Sequence, residues 1–287
     1  MMRYGIGVAV MAMVWLAAGN AAARDRQILE KNFPADPQVK TVTLSGDISA
    51  AELRLDAHDG GDLFTGRVRY DAERTEVDIA LDKTGSAAEV EMIAKRLHKR
   101  GDLNSEGNLW TVSLSREYLW DIGLDIGAAE CLLDLSGLPL QSLTLDVGAS
   151  ECEIVFDRPN PQELKRFSID AGAGEMDVRG LGYARCRDFE FDGGAGSVEM
   201  DFDGFTSGFG TAHVDVCVGE IEIELPGDLP VRIIADDGWL SSVEIDDDVA
   251  ESVRDGVWES PGYEKGTHGL ELSIDVGIGQ VTVTRSR

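Results

Sequence analysis

Leu124-Asp-Ile-Gly-Ala-Ala-Glu-Cys-Leu-Leu133 is followed along the chain by Leu145-Asp-Val-Gly-Ala-Ser-Glu-Cys-Glu-Ile154, Ile169-Asp-Ala-Gly-Ala-Gly-Glu-Met-Asp-Val178 and Phe191-Asp-Gly-Gly-Ala-Gly-Ser-Val-Glu-Met200. Two looser copies are Val214-Asp-Val-Cys-Val-Gly-Glu-Ile-Glu-Ile223 and Ile274-Asp-Val-Gly-Ile-Gly-Gln-Val-Thr-Val283. The aspartates at 125, 146, 170, 192 and 215 are 21, 24, 22 and 23 residues apart, the period of a solenoid coil rather than of a propeller blade or a helical pair. In the aligned copies the first, third, eighth and tenth positions are apolar, the second is Asp and the ninth is mostly acidic. Alternation of period two, broken by a Gly-rich kink at positions four to six, reads as two short strands joined through a bend. A single copy has one apolar face and nothing to bury it against. Copies stacked at a strand spacing of about 4.8 Å place like residues over like and close a shared interior. The expected fold is all-β: a parallel, single-stranded β-helix-like solenoid over residues 121–287, behind an N-terminal β-rich cap.

Residues 1–23 read as a cleavable export signal, with Arg3 as the basic opening, an apolar run from Ile6 to Ala18 and the small residues Ala21-Ala-Ala23 at the cut. No Cys stands near that cut, so a lipoprotein anchor is not expected, and no membrane span is expected after cleavage. Residues 24–40, with Pro34 and Pro37, read as a lead-in segment. Residues 41–120 hold alternating stretches (41–44, 51–57, 66–70, 76–81, 109–114) that suit half-buried strands. A cap built from them would cover the unpaired edge of the first coil.

Within that cap, Val90, Ile93 and Leu97 share helical spacing, with acidic residues before them and basic ones after, so a short basic helix is expected over 87–100. Lys95, Arg96, His98, Lys99 and Arg100 form the dense positive patch of the chain. It reads either as a solvated face or as a docking knob for an acidic partner, a second copy included. Beyond the repeats, 226–235 and 242–245 alternate as strands, 246–263 reads as a surface excursion anchored by Trp258 and Tyr263, and 274–284 is expected to close the stack.

The formal net charge is −27, from 53 acidic and 26 basic residues. Such a surface repels nucleic acid and anionic lipid and welcomes cations or basic proteins. The sharpest constellation is the row Asp125, Asp146, Asp170, Asp192, Asp215 and Asp275. Stacked carboxylates repel, and two readings answer that cost: Asx turns in which each Asp accepts from the backbone two residues on, or Ca²⁺ held along the first five with help from Glu130, Glu151, Glu175 and Glu220. Gly193-Gly-Ala-Gly-Ser-Val198 does not complete the Gly-rich Ca²⁺ repeat, because Val198 stands where the ligand Asp is needed.

Cys131 and Cys152 share one repeat position and should stack, either as apolar thiols or as a disulfide. The four histidines form no H-E-x-x-H, and neither a Gly-x-Ser-x-Gly elbow nor a phosphate loop occurs. No cofactor and no catalytic residue is therefore expected. A glycosidase-like carboxylate pair rests on fold analogy alone.

From about residue 41 to the C-terminus the chain resembles the bacterial toast-rack family, domains of unknown function related to the C-terminal part of cell-wall-active-antibiotics response proteins. The resemblance rests on Leu135-Ser-Gly-Leu-Pro-Leu140, Leu145-Asp-Val-Gly-Ala-Ser-Glu151, Phe156 with Asn160-Pro161, Asp170-Ala-Gly-Ala-Gly-Glu175 and Asp192-Gly-Gly-Ala-Gly-Ser-Val-Glu-Met-Asp-Phe-Asp-Gly204. It implies a solenoid that climbs like slices in a rack, a setting in the cell envelope, and no catalytic residues. Members related to the stress-response proteins often carry membrane helices, whereas this chain carries only its signal. The expected function is an exported, non-catalytic binding or scaffold module, periplasmic or extracellular, with an envelope protein or polysaccharide as partner and a link to envelope stress. The alternative is a Ca²⁺-dependent carbohydrate-active β-helix protein.

Overall fold

The structure, a computed structural model, describes residues 26–97, 108–205, 209–235, 238 and 240–286. In chain order the strands are β1 (Gln27–Pro34), β2 (Thr41–His58), β3 (Asp62–Tyr70), β4 (Thr75–Thr84), β5 (Ala87–Arg96), β6 (Asn108–Ser115), β7 (Leu119–Asp134), β8 (Leu140–Val155) and β9 (Arg166–Arg179). After the single helical turn α1 (Leu181–Ala184) come β10 (Asp188–Asp201), β11 (Phe209–Leu225), β12 (Val231–Ala235), β13 (Ser241–Ile245), β14 (Glu251–Arg254), β15 (Val257–Glu259) and β16 (Gly269–Arg285). All the strands join one sixteen-stranded sheet, so the chain is nearly all β.

That sheet is mixed. Its centre is a run of parallel neighbours, β2-β7-β8-β9-β10-β11-β16, and antiparallel strands flank both ends. On the N-terminal side β6, β3 and β1 extend the second half of β2, while β5 and β4 extend its first half. On the other side β12 carries the antiparallel β15 and β14. In each central strand the alternation of buried residues changes phase at the middle, which is Gly-containing in all but β2, so that the residues on either side of this bend face one interior: Leu124, Ile126, Cys131 and Leu133 in β7, for example, are all buried. Burial is worth roughly 1.5–3 kcal/mol per large apolar side chain, but one rung alone has no partner to bury against, so the interior exists only as a stack.

The segments between rungs stack as well. Leu135 N–H donates to Val155 O at 2.9 Å, Phe156 N–H to Arg179 O at 2.9 Å and Phe202 N–H to Glu224 O at 3.0 Å, while Leu135, Phe156 and Phe202 are buried. Phe156, Phe167 and Phe189 meet edge to face, at centroid separations of 5.8 and 4.9 Å, so aromatic contacts tie β9 to β10 and to the segment that follows β8.

Several expectations change. The helix expected over 87–100 is strand β5 as far as Arg96, and His98, Lys99 and Arg100 lie outside the described residues. Ala88, Val90, Met92 and Ala94 alternate as buried residues, whereas Leu97, which the helical reading needed inside, is 39 % exposed. Part of the lead-in is strand β1, whose Phe33 stacks on Phe64 at 5.6 Å. Strand β2, assigned above to the cap, is itself a rung, pairing in parallel with β7 from Thr41 to Leu55. Strand β16 does not close the stack: it lies between β11 and the outer rung formed by β12 and β13, in parallel register with both. The expected signal segment, residues 1–23, is outside the described residues.

Candidate functional site

Because the register between rungs is unbroken at the second repeat position, Asp47, Asp125, Asp146, Asp170, Asp192, Asp215 and Asp275 lie side by side in that order. They alternate with buried residues, so strand geometry turns them outward. Asp215 is half-buried and the other six are exposed. Asp47 was not among the sequence-derived candidates.

On the other arm of the bend a second file runs Glu52, Glu130, Glu151, Glu175, Ser197, Glu220 and Gln280. Between the two files the corner of the bend exposes Ala128, Ala149, Ala173 and Ala195, widening to Val218 and Ile278, which are 46 % and 47 % exposed. The surface is thus a narrow apolar ridge with carboxylates on both flanks.

The Asx-turn reading of the Asp file is corrected: no carboxylate of that file is hydrogen-bonded or ion-paired to another described residue. The reason is geometric. These aspartates sit within extended strands, where the side chain points away from the sheet and not back along its own backbone. Neighbours at about 4.8 Å therefore repel by on the order of 1 kcal/mol in water, and salt screens that repulsion. The thermal midpoint is accordingly expected to rise when NaCl increases from about 20 mM to about 500 mM, and Asp146→Asn with Asp170→Asn should raise the low-salt midpoint and flatten its salt dependence. Differential scanning calorimetry reads both; a midpoint that falls with salt would show that attraction, not repulsion, dominates the surface.

Beside the Glu file an open trough of about 670 Å³ is lined by Glu52, Glu130, Glu151 and Glu175, with Glu153, Asp177 and Glu199 on its far side and Arg54 as its basic residue. Among the described residues its lining includes no aromatic side chain on which a sugar ring could stack. The far side is partly neutralised: Arg179 bridges to Glu153 at 3.0 Å and also hydrogen-bonds Asp177, which holds the Arg179 guanidinium pKa above its ordinary value. Among the described residues no group of three or more His, Cys, Asp and Glu is arranged to hold a metal ion.

The sequence-derived basic patch is divided by the strand that carries it. Lys95 pairs across the ladder with Glu76 and Arg96 with Thr75, and both are exposed. Cys131 and Cys152 lie side by side, buried and free. The neighbouring Cys131 thiol, together with burial, pushes the Cys152 thiol well above its usual range. Cys186 stands apart, donates to Asp188 O at 2.9 Å, and is pushed up to about 12 chiefly by burial. Among described residues, no helix is long and apolar enough to cross a membrane.

Residues 18–179 match the family model described as the N-terminal domain of toast_rack, DUF2154. No curated protein matches the chain. A solved structure described as a candidate cell adhesion protein from Clostridium sporogenes ATCC 15579 is 17 % identical, aligning over 91 % of this chain and 100 % of its own with a TM-score of 0.48. A candidate adhesin from Bacteroides fragilis NCTC 9343 is 9 % identical over 91 % and 98 %, with a TM-score of 0.33. A candidate lipid-binding protein from Parabacteroides distasonis ATCC 8503 is 11 % identical over 91 % and 97 %, with a TM-score of 0.24.

Proposed function

The chain belongs to the toast-rack family, and from that premise we propose that it is an exported, non-catalytic β-solenoid that serves the bacterial cell envelope as a binding and scaffold module. The parallel register of seven rungs supports the solenoid reading, and the composition of residues 1–23 supports export. One observation carries the binding role: a file of aspartates that no described residue engages, flanking an exposed apolar ridge. A surface of that kind suits an extended cationic partner, a basic envelope protein or an amine-bearing polymer, whose charges would relieve the repulsion between rungs. Any part in envelope stress response would run through a separate membrane partner.

A fluorescent lysine-rich peptide titrated into the full chain tests this. Binding should weaken steeply with salt and fall by roughly tenfold or more when Asp125, Asp146, Asp170 and Asp192 are all changed to Asn. Changing Asp246, Asp247, Asp248 and Asp255 to Asn alters net charge equally and should leave binding nearly intact. Equal losses in both variants would reduce the row to bulk charge and remove the proposal.

A further inference from the structure

The eighth repeat position forms a column inside the stack: Leu53, Cys131, Cys152, Met176, Val198, Ile221 and Val281, each in register with the next. Three consecutive members carry sulfur, and the rest are hydrocarbon. Cys131, Cys152 and Met176 are 5 %, 2 % and 4 % exposed, and both cysteines are free. We propose that Cys131, Cys152 and Met176 form a binding site for a soft, low-coordinate metal ion of the Cu(I) type, a role distinct from the carboxylate surface.

The argument is one of spacing and softness. A disulfide wants its Cβ atoms about 3.8 Å apart, and in-register parallel rungs hold neighbours near 4.8 Å, so oxidation would strain both strands. An ion between two sulfurs needs roughly twice a metal–sulfur bond of about 2.3 Å, which the rung spacing supplies without backbone movement. Thiolate and thioether donors together favour Cu(I) over harder ions, and Met176 stands on the next rung as a third donor.

Charge balance also fits the interior. One S–H bond breaks, its proton leaves to water, and Cu(I) bonds to that thiolate. The second thiol and the Met176 thioether donate lone pairs, so nothing is oxidised and the buried site stays neutral.

The test is anaerobic titration of the reduced full chain with Cu(I) in competition with a chromogenic Cu(I) chelator, alongside Cys131→Val, Cys152→Val, Met176→Leu and a control carrying Cys186→Ser and Cys217→Ser. Val already occupies this column at Val198 and Val281, so the first two variants keep the interior filled, and circular dichroism verifies their fold. One Cu(I) per chain should be retained by the wild type and by the control, with X-ray absorption showing sulfur ligands. Retention should fall by roughly a hundredfold in either Val variant and about tenfold in Met176→Leu. Failure of the wild type to hold Cu(I) against the chelator, or retention unchanged in both Val variants, would overturn the site. A Cys131–Cys152 disulfide formed by the native protein in air, detected by mass spectrometry, would overturn the spacing argument.

Discussion

Gly196→Ala is expected to unfold the chain at ambient temperature or to cost about 3 kcal/mol or more. Gly196 has φ +152°, and a Cβ there would lie 1.8 Å from Gly174 O and 2.8 Å from Gly174 C. That oxygen belongs to backbone and not to the end of a flexible side chain, so relief requires two rungs to part at the bend. Parting them would weaken the parallel ladder on both sides, because interiors this close-packed do not deform locally. Gly174 in β9 and Gly279 in β16 occupy the same corner, with φ +140° and +146° and Cβ positions 1.7 Å from Ser150 O and from Gly219 O, so the constraint is shared by these rungs, whereas β8 carries Ser150 at the same position without a positive φ. Gly123→Ala is the matched control: nothing lies within 4 Å of its Cβ position, and the change should be neutral or slightly stabilising. Urea unfolding followed by tryptophan fluorescence separates the two, and equal effects would contradict the close approach of the rungs.

Asn160→Ala should cost a further large amount, about 3 kcal/mol or more. Asn160 is fully buried and bridges three successive connectors. Its amide nitrogen donates to Leu140 O at 3.0 Å and Ala184 O at 3.3 Å, and its side-chain oxygen accepts from Leu140 N–H at 3.1 Å and Gln162 N–H at 3.0 Å. Truncation strands these backbone groups away from water, at roughly 1–3 kcal/mol for each one left unpaired. Asn160→Asp sharpens the test. It keeps the acceptor but sets a carboxylate against two carbonyl oxygens, so it should be worse than Ala. If Asp is tolerated better than Ala in thermal unfolding at neutral pH, the bridging role is wrong.

The phrase around Asp125 was legible because its period-two alternation, its fixed Asp and its glycines all recur at one spacing. The rung in β2 shares that chemistry, as Gly46-Asp-Ile-Ser-Ala-Ala-Glu-Leu-Arg-Leu55. The sequence conceals it because Ser49 replaces the usual Gly and because strands β3 to β6 lie between it and β7, which hides the period. The strand period of β5 is masked in the sequence because two of its four buried positions are Ala88 and Ala94, too small to announce an apolar face beside the helical spacing of Val90, Ile93 and Leu97. The insertion of β16 between β11 and the β12–β13 rung cannot be seen from order along the chain, because the same Asp-Val-Gly phrase serves an inner rung as well as a last one.

Of the site, the carboxylates could be named from the repeat, but their lack of partners could not. Asp-x-Gly suggests a turn, and only the extended backbone at these positions sends the side chain outward. Asn160 stood out in the sequence only as part of Asn160-Pro161, with no signal of the four hydrogen bonds it would make.

In-register stacking is tested most directly by pulsed electron paramagnetic resonance distances between spin labels placed along the Asp file, after Cys131, Cys152, Cys186 and Cys217 are replaced. Asp125 and Asp215 are four rungs apart, and Asp47 and Asp275 are six. At about 4.8 Å per rung, labels at Asp125→Cys with Asp215→Cys should lie near 19 Å, and those at Asp47→Cys with Asp275→Cys near 29 Å. Distances that grow with rung number in this way are the expected result, although 228 residues separate Asp47 from Asp275. Distances that do not scale with rung number would contradict the stack and the carboxylate file that depends on it.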